Sequence, residues 1–186
     1  MEMASSSVRA RSRRPAADLA ADLLGAAAVE FAAHGFDGAS TRRIAERAGA
    51  HQPQINYHFA SKEQLWRETV GRLFGLLAVA PPDVSDPAAG FVAAVRRFLA
   101  FSADHPELNR IINQEATAPS ARLDWLVATH LRPLHAAVEA IWREVRAAGA
   151  GADLEPDEVW ELITTYGALR FANAPMLARL GIAAGT

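Results

Sequence analysis

The chain has 186 residues, 51% of them hydrophobic and 22% charged, with a formal net charge of −2 and no cysteine. This composition suits a globular chain of one or two domains, and it excludes disulfides, thiolate metal sites and thiol redox sensing. No uninterrupted run of about 18 apolar residues occurs, and the start lacks the apolar middle of a signal peptide, so the expectation is a cytoplasmic chain with no membrane contact. Charge is divided along the chain. Residues 1–66 carry eight basic and seven acidic side chains, and the remainder eleven and fourteen. So small a bias means that any contact with a polyanion depends on where individual cations are held, and that it falls in the first part of the chain.

Residues 1–15 contain Arg9, Arg11, Arg13 and Arg14 among serines, with no apolar periodicity. They read as a disordered basic arm, either a solvated tail or a segment that lies along phosphates or in a minor groove. A first helix is expected from about Ala16 to His34, with Leu24, Ala27, Ala28 and Phe31 inward and Gly35 stopping it. Phe36 then tucks back under the next two helices. Ser40 or Thr41 caps the second helix, whose inward positions are Ile44, Ala45 and Ala48, and Gly49 is the residue suited to leave it. Pro53 fits the first turn of a third helix, Gln52 to His58, which carries Ile55 and Phe59 on one face. Two short helices joined by a glycine turn form a helix-turn-helix, and Ala45 is small where they cross. Ser61 with Gln64 makes a capping box for a fourth helix that runs to about Val79, with Leu65, Thr69 and Leu73 inward and Pro81-Pro82 beyond.

The polar residues of this stretch point to double-stranded DNA. Gln52, Gln54 and Asn56 carry amides able to read base edges, and Tyr57 and His58 can bond phosphate while packing on sugar. Thr41, Arg42 and Arg43 lie where the second helix would direct its positive end at the backbone, with Lys62 on the other side. Any one of these residues alone is better read as part of a solvated face. Their joint occurrence, in register with the turn glycine and the capping box, favours DNA.

The run from Leu23 to Trp66 resembles the DNA-binding domain of the TetR family of transcriptional regulators. The resemblance rests on Phe31, Gly35-Phe36, Thr41 to Gly49, Tyr57-His58-Phe59 and Ser61-Lys62-Glu63-Gln64-Leu65. It covers about a quarter of the chain strongly, and the rest only through helical architecture. His51 stands where the family often has serine or threonine, which implies a looser start to the third helix or a DNA contact by His51 itself. The resemblance implies a repressor with a palindromic operator, a helical second domain around a small-molecule pocket, and a homodimer closed by two long helices. Only one such helix is evident here, so its partner is expected to be abbreviated or cut.

Proline at a first turn marks the later helices: Asp86-Pro87 with Phe91, Val95 and Phe98; His105-Pro106 with Leu108, Ile111 and Ile112; and Glu155-Pro156 with Val159, Leu162, Ile163, Tyr166 and Leu169. Between the last two, a long helix runs from Ser120 to about Ala148 and is expected to kink at Pro133. Asn173 to Pro175 breaks the final one. The fold class is therefore all-α: a helix-turn-helix domain over 16–66, then a helical-bundle regulatory domain over 67–186 for ligand binding and dimerisation. Phe98, His105, Asn113, Glu115, Trp125 and Tyr166 are the candidate ligand residues, with Gln114 in the same polar run. Aromatics at helical spacing are more often core, so the pocket itself comes from the resemblance.

No catalytic constellation stands out, and no cofactor or metal is assigned. His135 and Glu139 lie four apart on a helix but are too few for a metal site. The rival readings are a helical enzyme and a helical ligand-binding or interaction protein without operator binding.

Overall fold

The computed structural model describes residues 16–77 and 86–183, with side chains from Asp18 onward. The basic arm, the expected end of the fourth helix near Val79 and Pro81-Pro82 lie outside the described residues. Among those residues every regular element is helical. The first four are α1 (Ala16–Gly38), α2 (Thr41–Arg47), α3 (Gln52–His58) and α4 (Lys62–Leu77). Then come α5 (Pro87–Asp104), α6 (Pro106–Glu115), α7 (Ala121–Leu126), a π-helical turn (Val127–Leu131) and α8 (Arg132–Ala147). The chain ends with α9 (Pro156–Glu161), a second π-helical stretch (Leu162–Ala168), α10 (Leu169–Ala172) and α11 (Ala174–Arg179).

Local chemistry sets the helix-turn-helix. Ser40 caps α2, its hydroxyl accepting from the Arg43 N–H at 3.4 Å. Gly49 has φ +64, and the Ala50 N–H donates back to the Ala45 carbonyl, which closes α2 with a left-handed turn. Ala45, Ile55 and Phe59 are all buried where α2 and α3 cross. His51 precedes α3, and its N–H donates to Gln54 Oε1 at 2.8 Å, so the glutamine secures the helix start that histidine alone would leave loose. At α4 the Gln64 N–H donates to Ser61 Oγ at 3.0 Å, while Gln64 Oε1 accepts from the N–H of Ala60, one residue before the expected partner.

Three details of helix geometry bear on the expectations. α1 breaks at Gly35, as its sequence suggests. That residue takes φ +67 and ψ 177, a conformation only glycine adopts without strain, and the helix resumes for a further turn to Gly38. The bend turns Phe36 back over Phe31, ring centroids 6.1 Å apart. Second, Leu23 is fully buried on α1, whereas Leu24 only packs at the edge of the core. Third, Pro133 falls in the first turn of α8, directly after the π turn: proline supplies no N–H to the previous turn, and the wider i→i+5 turn accommodates that loss.

The membrane expectation also changes at one place. Asp18–Gly38 averages a hydropathy of 1.3 and is long enough to cross a membrane by composition. In the fold its apolar stripe is core instead. Leu23, Ala27 and Phe31 are fully buried, and the carboxylate of Glu30 is buried beside them.

The core falls into two clusters. Residues of α1–α4 share one buried cluster with Leu108 and Ile111 of α6 and Leu126 of α7, and a smaller one gathers Trp142, Val145 and Val159 around α8 and α9. α6 packs along α1, and the Gln114 amide donates to the Ala32 carbonyl at 3.0 Å.

Candidate functional site

The outer face of α2 and α3 carries most of the predicted DNA residues. Gln52, Asn56 and Tyr57 are exposed, Tyr57 at 83%. Gln52 Nε2 lies 3.5 Å from Thr41 Oγ1, which joins the starts of α2 and α3 into one polar edge. The Tyr57 ring stands edge-on to His58 with centroids 5.2 Å apart. Arg42 is exposed and bonds Glu46 one turn on at 2.9 Å, an exposed pair that a phosphate can displace. Lys62 Nζ donates to the Asp37 carbonyl at 3.2 Å and sits 5.0 Å over the Phe36 ring, so its ammonium is held at the rim of this face.

Two of the nine predicted DNA residues serve the fold. Gln54 uses one lone pair of its oxygen to cap α3, which ties the side chain to the helix start. Arg43 turns inward. Its Nε donates to Glu30 Oε1 at 2.6 Å and its Nη2 to the Gly38 carbonyl at 2.9 Å. Glu30 also accepts the Ser40 N–H at 3.0 Å, so one buried carboxylate ties α1 to the start of α2. Burial pushes the Glu30 pKa up, but the Arg43 and Ser40 hydrogen bonds and the charges of Arg43 and His34 outweigh it and hold the carboxyl below its ordinary range. Because its native pKa is lowered, its contribution is complete above the ordinary glutamate value of about 4.3 and vanishes as pH falls through the native value. A Glu30→Gln variant is therefore expected to be less stable than the parent near neutrality, the gap closing in acid. Urea unfolding at the two pH values checks this, and a gap that widens in acid would contradict it.

Between the reading face and the rest of the molecule lies a joint of rings and one ion pair. Phe36 meets Trp66 edge-on with centroids 6.4 Å apart, and Trp66 meets Trp125 at 5.6 Å. Trp125 meets His130 at 5.2 Å, and His130 stacks flat on Phe74 at 4.4 Å. Burial lowers the His130 pKa and favours the neutral ring in this stack. Arg122 spans the same joint, its guanidinium 3.9 Å over Phe36 and its Nε 3.2 Å from both oxygens of buried Glu115.

Phe74 belongs to the wall of a cavity of about 190 Å³ enclosed by α4, α5, α6, α8, α9 and parts of both π segments. Phe74, Phe98, Phe101, Leu134 and Trp160 supply apolar wall, and Asn109, Asn113, Thr164 and Thr165 the polar groups. Of the six predicted ligand residues, Phe98 and Asn113 line this cavity. His105 packs its ring on Phe101 from outside the lining, with centroids 4.9 Å apart. Glu115 and Trp125 belong to the joint, and Tyr166 is 75% exposed at the molecular surface. The structure thus places these four outside the cavity, and for Glu115 the reason is helical rotation: successive positions turn by about 100°, so Asn113, Gln114 and Glu115 face three ways. Asn109 and the π-segment threonines carried no signal in the sequence. His135 pairs with Asp157 at 2.9 Å, and Glu139 pairs with Arg143.

Comparison with known proteins bears on this arrangement. The sequence profile described as "Bacterial regulatory proteins, tetR family" matches residues 23–69, and that of "HTH-type transcriptional dual regulator CecR, C-terminal domain" matches residues 87–160. The HTH-type transcriptional repressor SCO4008 of Streptomyces coelicolor is 34% identical over 87 residues, 47% of this chain and 44% of that protein. The HTH-type transcriptional repressor AcnR of Corynebacterium diphtheriae is 33% identical over 115 residues, 58% of this chain and 55% of that protein. The chain thus spans about half the length of the curated relatives it matches. Among solved structures, the transcriptional regulator FadR of Bacillus subtilis, in complex with stearoyl-CoA, superposes with a TM-score of 0.63 at 15% identity, covering 86% of this chain and 88% of that one. The first profile falls on the helix-turn-helix and the second on most of the helices that enclose the cavity, and on these grounds the chain belongs to the tetR family of bacterial regulatory proteins.

Proposed function

We propose that this protein is a transcriptional repressor that binds a palindromic DNA operator through α2 and α3 and is released by a small molecule bound in the cavity. In this reading residues 16–66 are the DNA-binding domain, and residues 67–186 bind the effector and form a homodimer. The role is binding rather than catalysis, carried out in the cytoplasm. The observation that carries the reading is the polar outer face that Thr41, Arg42, Gln52, Asn56, Tyr57, His58 and Lys62 form on one helix-turn-helix. The names of SCO4008 and AcnR, both transcriptional repressors, support it. The stearoyl-CoA held by a fold neighbour supports an effector in the second half.

A gel shift with the DNA flanking its own gene tests the reading directly. Arg42→Ala or Lys62→Ala is expected to weaken binding to all sequences alike and to flatten the salt dependence by about one unit of slope. Asn56→Ala or Gln52→Ala should instead cost about 1–3 kcal/mol and relax preference at one base position. Unchanged affinity across salt in both cation variants would remove this docking.

Leu162, Tyr166, Met176, Leu180 and Ile182 are large apolar or aromatic side chains exposed along the last segments of the chain. A twofold partner covering them supplies the second half-site that one short reading helix needs for specificity. Tyr166→Asp together with Leu180→Asp is expected to yield monomers in sedimentation at micromolar concentration, and a persistent dimer would place the interface elsewhere.

A further inference from the structure

We propose that the second half of the chain seats the phosphate-binding ammonium of Lys62, with Gln114 of α6 and Arg122 of α7 as positioning residues. The inference rests on the DNA binding proposed above and adds to it two residues that lie off the reading face. It starts at the break in α1. Gly35, at φ +67 and ψ 177, leaves the helical path, so the Phe36 N–H is turned away from the Ala32 carbonyl that it would meet in a regular helix. Ala32 is buried, and an unanswered carbonyl there would be costly. The Gln114 amide answers it at 3.0 Å. The Gln114 oxygen lies 3.8 Å from the point where a side chain on Gly35 would begin, so the amide is laid directly against the break.

The single turn beyond the break, residues 35–38, carries the groups that hold Lys62. The ammonium donates to the Asp37 carbonyl at 3.2 Å and sits 5.0 Å over the Phe36 ring, which leaves it further N–H groups for a phosphate. One helical turn is too short to keep its own shape. Within the reading head it is fastened by the Phe31 and Trp66 rings against Phe36, and by Arg43 Nη2 on the Gly38 carbonyl. From outside the head, Arg122 places its guanidinium 3.9 Å over the Phe36 ring. Buried Glu115 braces that guanidinium, with both carboxylate oxygens 3.2 Å from Arg122 Nε. Gln114 thus holds the entry to the turn, and Arg122 holds its first side chain. Because Phe36 and Asp37 are neighbours on one turn, any shift of it takes both holds from Lys62 together.

Two variants of the full chain test this without stranding a charge. Gln114→Met keeps the length of the side chain and loses the amide, and Arg122→Met is combined with Glu115→Gln. Hydrogen exchange of the Ala39 amide, which donates to the Gly35 carbonyl at 3.2 Å, reports on the turn directly. In each variant it is expected to speed up about five- to tenfold, the effect of one hydrogen bond or one cation–π contact. Amides of α8, which packs on α5 and α9, should keep their rates. A parental rate at Ala39, or an equal acceleration in α8, would overturn the proposal. Gel shifts with the DNA flanking the gene give a second readout, as a double-mutant cycle with Lys62→Ala. Lys62→Ala is expected to cost at least about threefold less affinity in either variant than in the parent. An unchanged cost means a merely structural role for Gln114 and Arg122, and also overturns the proposal. Gln114 is exposed, so Gln114→Met spares the core and decides alone if the second variant does not fold. If the parent protein shifts no DNA, the regulator falls, while exchange at Ala39 still decides whether the second half seats this turn.

Discussion

Trp66→Ala is expected to lower stability by about 3–5 kcal/mol, the largest loss for any single truncation in this fold. The indole is 1% exposed and makes edge contacts with Phe36 on one side and Trp125 on the other. Removing it opens a void between α1, α4 and α7, where the Phe36 and Trp125 rings now meet the indole. Chemical denaturation followed by circular dichroism measures the loss. A cost below about 1 kcal/mol would show that the site collapses around alanine and that the ring chain is not a structural strut.

Arg122→Ala should cost less stability, about 2–3 kcal/mol, but change function more. Glu115 is buried, and without the guanidinium its carboxylate keeps, among the described residues, the Ser120 hydroxyl at 3.4 Å. The variant also uncovers the Phe36 ring, which packs against both Phe31 and Trp66. Operator affinity of the variant is therefore expected to respond less to a ligand than that of the parent, because a bridge between the cavity side and the reading side is gone. Titrating operator with and without ligand in both proteins measures the coupling. An unaltered ligand response would show that Arg122 does not carry the coupling.

Features set by neighbours in sequence were legible from the chain. Ser40, Gly49, Pro53 and Ser61 each act within four residues, so the limits of α2, α3 and the start of α4 follow from cap and turn chemistry. Arg43 shows where that stops. Its partner Glu30 lies thirteen residues earlier, and an exposed phosphate-binding arginine and a structural one look alike in a sequence. The π segments were illegible for a different reason: one extra residue per turn shifts which side chains face inward without changing composition, so Thr164 and Thr165 reach the cavity although the α-helical register did not mark them. The Asn113-Gln114-Glu115 run was read as a unit when helical rotation already separated its members.

The buried cluster that passes from α1 into α6 and α7 limits how this protein can be taken apart. A fragment ending at residue 77 would leave bare the faces of α1 and α4 that Leu108, Ile111, Trp125 and Leu126 now cover. The reading head is therefore a poor candidate for transplantation onto a foreign sensor by joining at the α4–α5 connection alone. A chimera would have to carry α6 and α7 with the head, or recreate their apolar faces and the Gln114 and Arg122 contacts in the recipient. The modular boundary for engineering runs along a packing surface rather than through a linker.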